Sequence, residues 1–598
     1  MSARSPAIAD HGIIGDLETA ALVARDGTID FLCLPSFDSP SVFLALLDAD
    51  RGGRFGVEAQ IPDSHQEQRY VRDTNVLVTR TVGPGAEVAL YDFMPVPRRP
   101  SPSRVVRLAR VTRGRARVSC RCAPRFDYAR GSHTATIAGN SATFTSADGS
   151  RLRLTTSAPM TTDGRDVSAE VELGAGDEIA FVLELLERND ARVPSAREAS
   201  RALRQTIVFL RRGIAKARCE GEWSSFVRRS ALTLKLLQSR RTGAIVASPT
   251  FGLPEQIGGP RNWDFRYAWI RDSAFTVYAL GRIGLGREAS AFAGWLVDRC
   301  AEAETPGELQ SLYTIDGGRE ITERTLDHLE GHAGSRPVRI GNAAYDQLQL
   351  DIYGELLDVL HQRDEHGEPP SRALWNRIVE LTDWVTRNWR RADQGIWEVR
   401  SGCQEFLYSR VMCWVALDRA LRMARRRRLP APREEWRAVR AAIRTDVDEH
   451  FWSPSLGAFV GTRGGDTIDA ACLVMPLVGF VAPTDPRWQS TLRAVEARLV
   501  RDGMVRRYDM TGMDTDAASA EAPFFTVCSF WYVECLARAG ELERARLTMK
   551  SVLQRANHLG LYSEDLGLAG EQLGNFPQGL THSALIGAAV ALEAAAHS

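Results

Sequence analysis

The sequence has no excess of charge of either sign and no long apolar run near its start. Lys+Arg and Asp+Glu balance at 75 each among 598 residues, so no net positive charge attracts nucleic acid or an anionic membrane. Residues 1–27 contain no apolar stretch long enough for a secretory signal or a membrane anchor. We therefore expect a cytoplasmic protein that binds neither nucleic acid nor membranes.

Paired cysteines and the common short catalytic motifs are also missing. The ten cysteines are scattered and form no CxxC pair, which indicates reduced core residues rather than disulfides. HExxH, a Walker loop, a GxSxG elbow and clustered His or Cys do not occur. The sequence therefore predicts no metal site and no cofactor.

The chain instead has a composition typical of folded proteins, with 44% hydrophobic and 25% charged residues. At 598 residues the chain is longer than a domain with a single hydrophobic core usually is, which favours more than one domain. Residues 1–205 contain short β-branched runs separated by turn residues, and this pattern predicts an antiparallel β-sandwich. A helical linker is predicted over residues 206–220, and a helical domain over residues 221–598.

The helices of the C-terminal domain alternate in character. Residues 372–380 are amphipathic and highly charged, whereas residues 524–536 and 580–596 carry almost no charge. A helix that is apolar all round is buried, while an amphipathic one covers a surface. Six inner and six outer helices predict an (α/α)6 barrel. An α-solenoid is the alternative, but no repeat period supports it.

Polar and aromatic residues concentrate in the loops before inner helices. These loops are residues 261–272, 334–342, 395–400 and 562–578. In a ring of up-and-down helices they meet at one end, so Trp, Arg, Asp and Glu converge on one mouth. Aromatic faces, carboxylates and arginines are suited to sugar recognition. Glycoside hydrolysis needs two carboxyl groups, and the loops 395–400 and 562–578 each supply a candidate.

Several motifs occur in a fixed order along nearly the whole chain. They are residues 12–16 and 28–35, Trp269-Ile270-Arg271-Asp272, Arg336-Pro337, Gly395-Ile396-Trp397-Glu398 and Ser563-Glu564. On these motifs the sequence resembles glycoside hydrolase family 15, most closely its bacterial members. The resemblance implies a trehalase-like N-terminal β-sandwich followed by an (α/α)6 barrel. It also implies an exo-acting α-glucoside hydrolase that inverts the anomeric carbon and releases β-glucose.

The resemblance assigns a role to each matching residue. Glu398 would be the general acid and Glu564 the general base, separated by about 6.5–9.5 Å to admit water. The residues expected to bind substrate are Arg271, Asp272, Trp269, Arg336 and Trp397. Glu571 is a rival base, although its position suits a structural role better.

Two positions after the acid depart from the pattern of bacterial relatives. Glu405 adds a carboxylate and Arg410 replaces a lysine after the acid, so Glu405 could either raise the pKa of Glu398 or bind the leaving group.

Trp263 is expected in the core rather than at the sugar.

Three functions are compatible with the sequence. The favoured one is an inverting hydrolase of trehalose, isomaltose or a maltooligosaccharide. An inverting disaccharide phosphorylase would use phosphate in place of water and its base. A non-catalytic sugar-binding relative would be expected to lack one carboxylate. The partner is in each case a small carbohydrate, and no feature of the sequence indicates the oligomeric state.

Overall fold

The N-terminal part of the computed structural model is built from sixteen antiparallel strands. The structure describes residues 6–96, 102–186, 195–509 and 523–597. The strands are β1 (His11–Gly15), β2 (Ala20–Ala24), β3 (Ile29–Cys33), β4 (Ser41–Phe43), β5 (Arg54–Gln60), β6 (His65–Tyr70), β7 (Leu77–Val82), β8 (Glu87–Phe93), β9 (Arg104–Arg113), β10 (Arg115–Ala123), β11 (His133–Ala138), β12 (Ser141–Ser146), β13 (Arg151–Thr155), β14 (Met160–Thr162), β15 (Val167–Gly174) and β16 (Glu178–Leu185).

These strands form two sheets whose apolar faces make a shared core. One sheet has the order β1-β2-β3-β5-β10-β15-β14, with β4 on β3, and the other has β11-β12-β13-β16-β9-β8-β7-β6. Along β10, Ala116, Val118 and Cys120 are buried while the residues between them are more exposed, the two-residue period of a strand with one buried face. The predicted β-sandwich is confirmed.

Two helices accompany the sandwich. The first, α1 (Phe126–Ala129), is a single turn. The second, α2 (Ala196–Ile214), starts with a capping box between Ser195 and Glu198. It packs Leu203 and Leu210 against Val106 of the second sheet. The predicted linker 206–220 is thus partly a helix on the sandwich, and residues 187–194 before it lie outside the described part. The domain boundaries stay a prediction.

Twelve helices follow in the described residues. They are α3 (Ser224–Leu236), α4 (Ile270–Arg282), α5 (Gly286–Glu302), α6 (Asp351–Glu365), α7 (Arg372–Asn388), α8 (Leu407–Arg426), α9 (Arg433–His450), α10 (Val474–Leu477, preceded by the 3₁₀ turn Ala470–Leu473), α11 (Pro486–Leu499), α12 (Thr526–Arg538), α13 (Leu542–Leu553) and α14 (Gly579–Ala596).

The even-numbered members of this set form a closed inner ring. Helix α4 contacts α6, α6 contacts α8, α8 and α12 both contact the turn before α10, and α14 contacts α12 and α4. Because every inner helix has inner neighbours on both sides, the ring closes, and the (α/α)6 barrel is confirmed. The loops before α4, α6, α8, α10, α12 and α14 lie at the same end.

The most apolar helix of the ring is α14. Its residues Gly579–Ala596 are long and apolar enough to cross a membrane by composition, yet 72% of that window is buried inside the protein. Trp531 on α12 is also buried. The barrel core is continuous with the sandwich core, where the ring centroids of Phe31 and Phe251 are 5.4 Å apart.

Candidate active site

A cavity of about 360 Å³ opens at the end of the barrel where the inner helices begin. Glu398, Glu564, Arg271, Asp272, Trp269 and Trp397 all line it. The structure thus brings together six of the seven site residues expected from the sequence. A larger cavity of about 1720 Å³ lies beside α2 and contains none of them.

Glu398 is held by its backbone and by its side chain. Its φ is +57°, a left-handed conformation that costs a non-glycine residue about 1 kcal/mol. Gln347 donates to its carbonyl oxygen at 3.3 Å. Trp269 donates its indole N–H to Oε1 at 2.7 Å, and Arg271 lies 3.5 Å from the same oxygen. These contacts fix the direction of the carboxyl group.

Arg271 joins the first turn of α4 to the loop that carries Glu398. It donates to the carbonyl oxygen of Ile396 at 2.8 Å and to Oδ2 of Asp272 at 3.1 Å. Asp272 is favoured in this first turn by the helix dipole. Arg271 is therefore a structural link as well as a cavity-lining cation.

Trp397 is oriented by a carboxylate from a different loop. Its indole N–H lies 3.0 Å from both oxygens of Asp469, and its ring meets Phe525 edge-on with centroids 5.5 Å apart. Asp469 also caps the turn before α10 through the N–H of Ala471. The aromatic wall is thereby tied to the start of an inner helix.

Glu564 directly precedes the middle strand, Asp565–Leu566, of a short three-stranded sheet before α14. Its N–H donates to the carbonyl of Asn575, and its own carbonyl accepts from Thr526, both at 3.1 Å. Gly574 has φ +71°, and a Cβ at this position would lie 2.7 Å from Oε2 of Glu564, so only glycine fits there.

The Glu564 side chain is buried and has one charged hydrogen-bond partner among the described residues. Arg507 donates to Oε1 at 3.2 Å, and Oε2 has no hydrogen-bond partner within the described chain. Burial, followed by the charges of Asp565 and Glu255, raises the pKa of Glu564 well above its usual value, against the opposing charge of Arg507.

Arg507 contacts three carboxyl groups. It lies 3.3 Å from Glu255, 3.2 Å from Glu564 and 3.1 Å from Asp565. Oxygens of the three acids lie within 4.8 Å of one another, as a metal site would require. The guanidinium bonds all three carboxyl groups and supplies positive charge to each of them.

Arg507, Glu255, Asp469 and Arg339 were not predicted from the sequence. Asp469 and Arg507 lie in the loops before α10 and α12, so the rule that selected the other four loops could have found them. Glu255 lies just upstream of the first predicted loop, and no motif marked it.

Arg336 is not at the cavity. It is exposed and donates to the carbonyl of Glu330 at 3.2 Å, whereas Arg339, three residues later, lines the cavity. Trp263 also lines the cavity instead of the core. The guanidinium carbons of Arg339 and Arg400 lie 4.7 and 4.0 Å from its ring centroid.

The remaining polar candidates have structural contacts. Glu571 is exposed and accepts a hydrogen bond from the N–H of Ala569 at 3.1 Å. Glu405 pairs with Arg410 at 3.0 Å and with Arg463 at 3.2 Å. Glu571, Glu405 and Arg410 are not among the cavity-lining residues. Glu405 is thus neutralised by its own partners.

An (α/α)6 barrel with two carboxyl groups on one aromatic-walled cavity has the architecture of a glycoside-processing enzyme. The sequence model of glycosyl hydrolases family 15 matches residues 221–590. A model described as trehalase-like, N-terminal, matches residues 1–203. The chain belongs to glycosyl hydrolases family 15 and is a glycoside hydrolase.

The similarity to known proteins extends over nearly the whole chain. A trehalase of Thermoplasma acidophilum is 35% identical over 96% of this chain and 98% of its own length. A trehalase of Mycobacterium tuberculosis is 35% identical over 98% of this chain and 89% of its own. The crystal structure of a bacterial glucoamylase complexed with acarbose superposes with a TM-score of 0.73. The two sequences are 13% identical, and the superposition covers 99% of this chain and 94% of the glucoamylase chain. At this identity the match supports the fold alone.

Proposed function

We propose that the protein is an inverting trehalase that hydrolyses α,α-trehalose in the cytoplasm without a nucleic-acid or membrane partner. The observation that carries this proposal is the position of Glu398 and Glu564 on one small cavity. The similarity to trehalases over nearly the whole chain supports the choice of substrate. The cavity volume is within the range of small-molecule sites, which suits a disaccharide.

Glu398 is the proton donor to the glycosidic oxygen. Trp269 and Arg271 direct its carboxyl group, and the proton moves to the leaving oxygen while the C1–O bond breaks. The leaving glucose therefore departs as a neutral alcohol.

Glu564 is the base that accepts a proton from the attacking water. The water forms its bond to C1 from the face opposite the leaving oxygen, which inverts this carbon. A base must be ionised, and Arg507 supplies the nearest positive charge. A phosphorylase would have no use for such a base, and a non-catalytic relative would be expected to lack one of the two carboxyl groups.

A substrate panel tests the proposal. Trehalose, maltose, maltotriose and isomaltose are each incubated with the enzyme, with and without phosphate, and free glucose and glucose 1-phosphate are measured. We expect glucose from trehalose at the highest kcat/KM, without any need for phosphate. Glucose 1-phosphate formed only with phosphate would identify a phosphorylase, and a preference for maltose or isomaltose would overturn the substrate assignment.

Charge-removing variants test the two roles. Glu398→Gln and Glu564→Gln should each lower kcat by about 100- to 10,000-fold with unchanged circular dichroism. Glu571→Gln is the matched control and should keep full activity, because Glu571 lies outside the cavity. Full activity in Glu564→Gln together with loss in Glu571→Gln would reverse the assignment of the base.

A further inference from the structure

One of the three acidic partners of Arg507, Glu255, is held firmly by contacts of its own. Glu255 accepts from Nε of Arg261 at 2.6 Å and from the indole N–H of Trp263 at 2.9 Å. Its side chain is only 6% exposed. Glu255 is thus a fixed anchor to which Arg507 is drawn from one side.

The acidic partners outnumber the cations in this cluster. Among the described residues, the charged and titratable groups that face Glu564 and its neighbours are Glu255, Arg261, Arg507, Tyr508, Cys528 and Asp565. With the three acids ionised, two guanidiniums face three carboxylates. In that state the described arginines leave one carboxylate incompletely neutralised.

We propose that Glu255 is a positioning residue for the general base. By holding Arg507 among three carboxyl groups, it keeps the guanidinium from forming a full ion pair with Glu564 alone. The base therefore remains free to accept a proton. This inference rests on the proposed function, since it requires Glu564 to act as the base.

The pKa of Glu255 is lowered, whereas the pKa values of Glu564 and Asp565 are raised, as this arrangement requires. Burial raises the pKa of Glu255, but the charges of Arg261 and Arg507 outweigh burial and hold the pKa below its usual range. Burial raises the pKa of Asp565 to about 7 despite Arg507. Glu255 thus keeps its charge and its hold on Arg507 when its two neighbours take up protons. A base is most effective when its pKa lies near the working pH.

The pH dependence of kcat/KM in Glu255→Gln tests the proposal. Removing this negative charge lowers the pKa of Glu564 and leaves Arg507 to the remaining two acids. We expect the acidic limb to move down by about one pH unit and kcat at neutral pH to fall about tenfold, with KM changed less than threefold. Glu255→Asp, which keeps the charge, should restore most of kcat.

The opposite charge change provides a sign test. Arg507→Gln removes the positive charge and should move the acidic limb up, while Asp565→Asn should move it down like Glu255→Gln. If Glu255→Gln does not fold, as judged by thermal unfolding, Arg507→Gln still tests the inference, because Glu255 is proposed to act on Glu564 through this guanidinium. An acidic limb that stays in place in the folded variants would overturn the inference.

Glu564→Gln separates this inference from the proposed function. If that variant keeps its hydrolysis, the base is misassigned and the proposed mechanism fails. If that variant is inactive and Glu255→Gln has the wild-type acidic limb, the proposed function stands and only the positioning role of Glu255 is lost.

Discussion

Trp269 donates its indole N–H to Oε1 of Glu398 across 2.7 Å, although 129 positions separate the two residues in the chain. Trp269 directly precedes α4, and Glu398 lies in the loop before α8. The bond therefore joins two of the loops that meet at the barrel mouth. It also explains why an aromatic residue that is 2% exposed belongs to the site.

Trp269→Phe should weaken catalysis more than binding. The ring is kept, but the hydrogen bond that directs the acid is lost, at a cost of about 1.5 kcal/mol, or about tenfold in kcat. Steady-state kinetics on trehalose measure the change. Trp452→Phe is the matched control, because Trp452 packs on Phe459 away from the cavity. Equal effects of the two substitutions would contradict a role in orienting the acid.

The acidic limb of the wild-type kcat/KM profile should lie above the range of an ordinary carboxyl group. Burial and the neighbouring acids raise the pKa of Glu564, and a base loses activity as the pH falls through its pKa. The loss on acidification should therefore begin at a higher pH than a free glutamate would give. A profile that stays flat down to pH about 4, near the usual glutamate value, would contradict this environment for the base.

Two arginines of one loop should behave differently. Arg339→Gln should raise KM about fivefold, near 1 kcal/mol, because Arg339 lines the cavity and lies over Trp263. Arg336→Gln should leave KM unchanged, because Arg336 is exposed and contacts the carbonyl of Glu330. Kinetics on trehalose compare them, and the reverse order of effects would restore the role that the motif gave to Arg336.

The pair of Glu405 and Arg410 should affect stability rather than catalysis. The Arg410 side chain is fully buried and pairs with Glu405 at 3.0 Å and Asp446 at 3.5 Å. Arg410→Met would leave these acids without their buried cation and should destabilise the fold by about 3–5 kcal/mol. Glu405→Gln leaves the pair of Arg410 and Asp446 intact. It should therefore lower the melting temperature less than Arg410→Met does, and kcat/KM should stay within about twofold of the wild-type value. A large loss of kcat/KM in folded Glu405→Gln would instead indicate contact with the leaving sugar.

Periodicity predicted the architecture because burial acts on whole segments. The two-residue alternation of β10 and the uniformly apolar α14 each report which faces are buried. The rule that loops before inner helices meet at one mouth then placed Glu398 and Glu564 near each other. Both steps depend on the pattern of many side chains and not on the direction of one.

The details that the sequence did not predict depend on the directions of single side chains. A motif selected Arg336, but the chain turns so that Arg339 lies on the cavity instead. Trp263 has a large apolar side chain of the kind that usually packs in a core. Only the structure shows that it lines the cavity. The contact of Arg507 with Glu255, 252 positions away, has no local signal in the sequence.

The proton NMR spectrum of glucose released from trehalose, recorded before mutarotation, tests the central claim most directly. Both anomeric carbons of trehalose are α-linked, and an inverting enzyme changes only the ring that water attacks. We predict equal amounts of β- and α-glucose at the earliest times in the wild type, with no signal from Glu398→Gln. Initial release of α-glucose alone would show retention and contradict the assignment of Glu564 as a base that activates water.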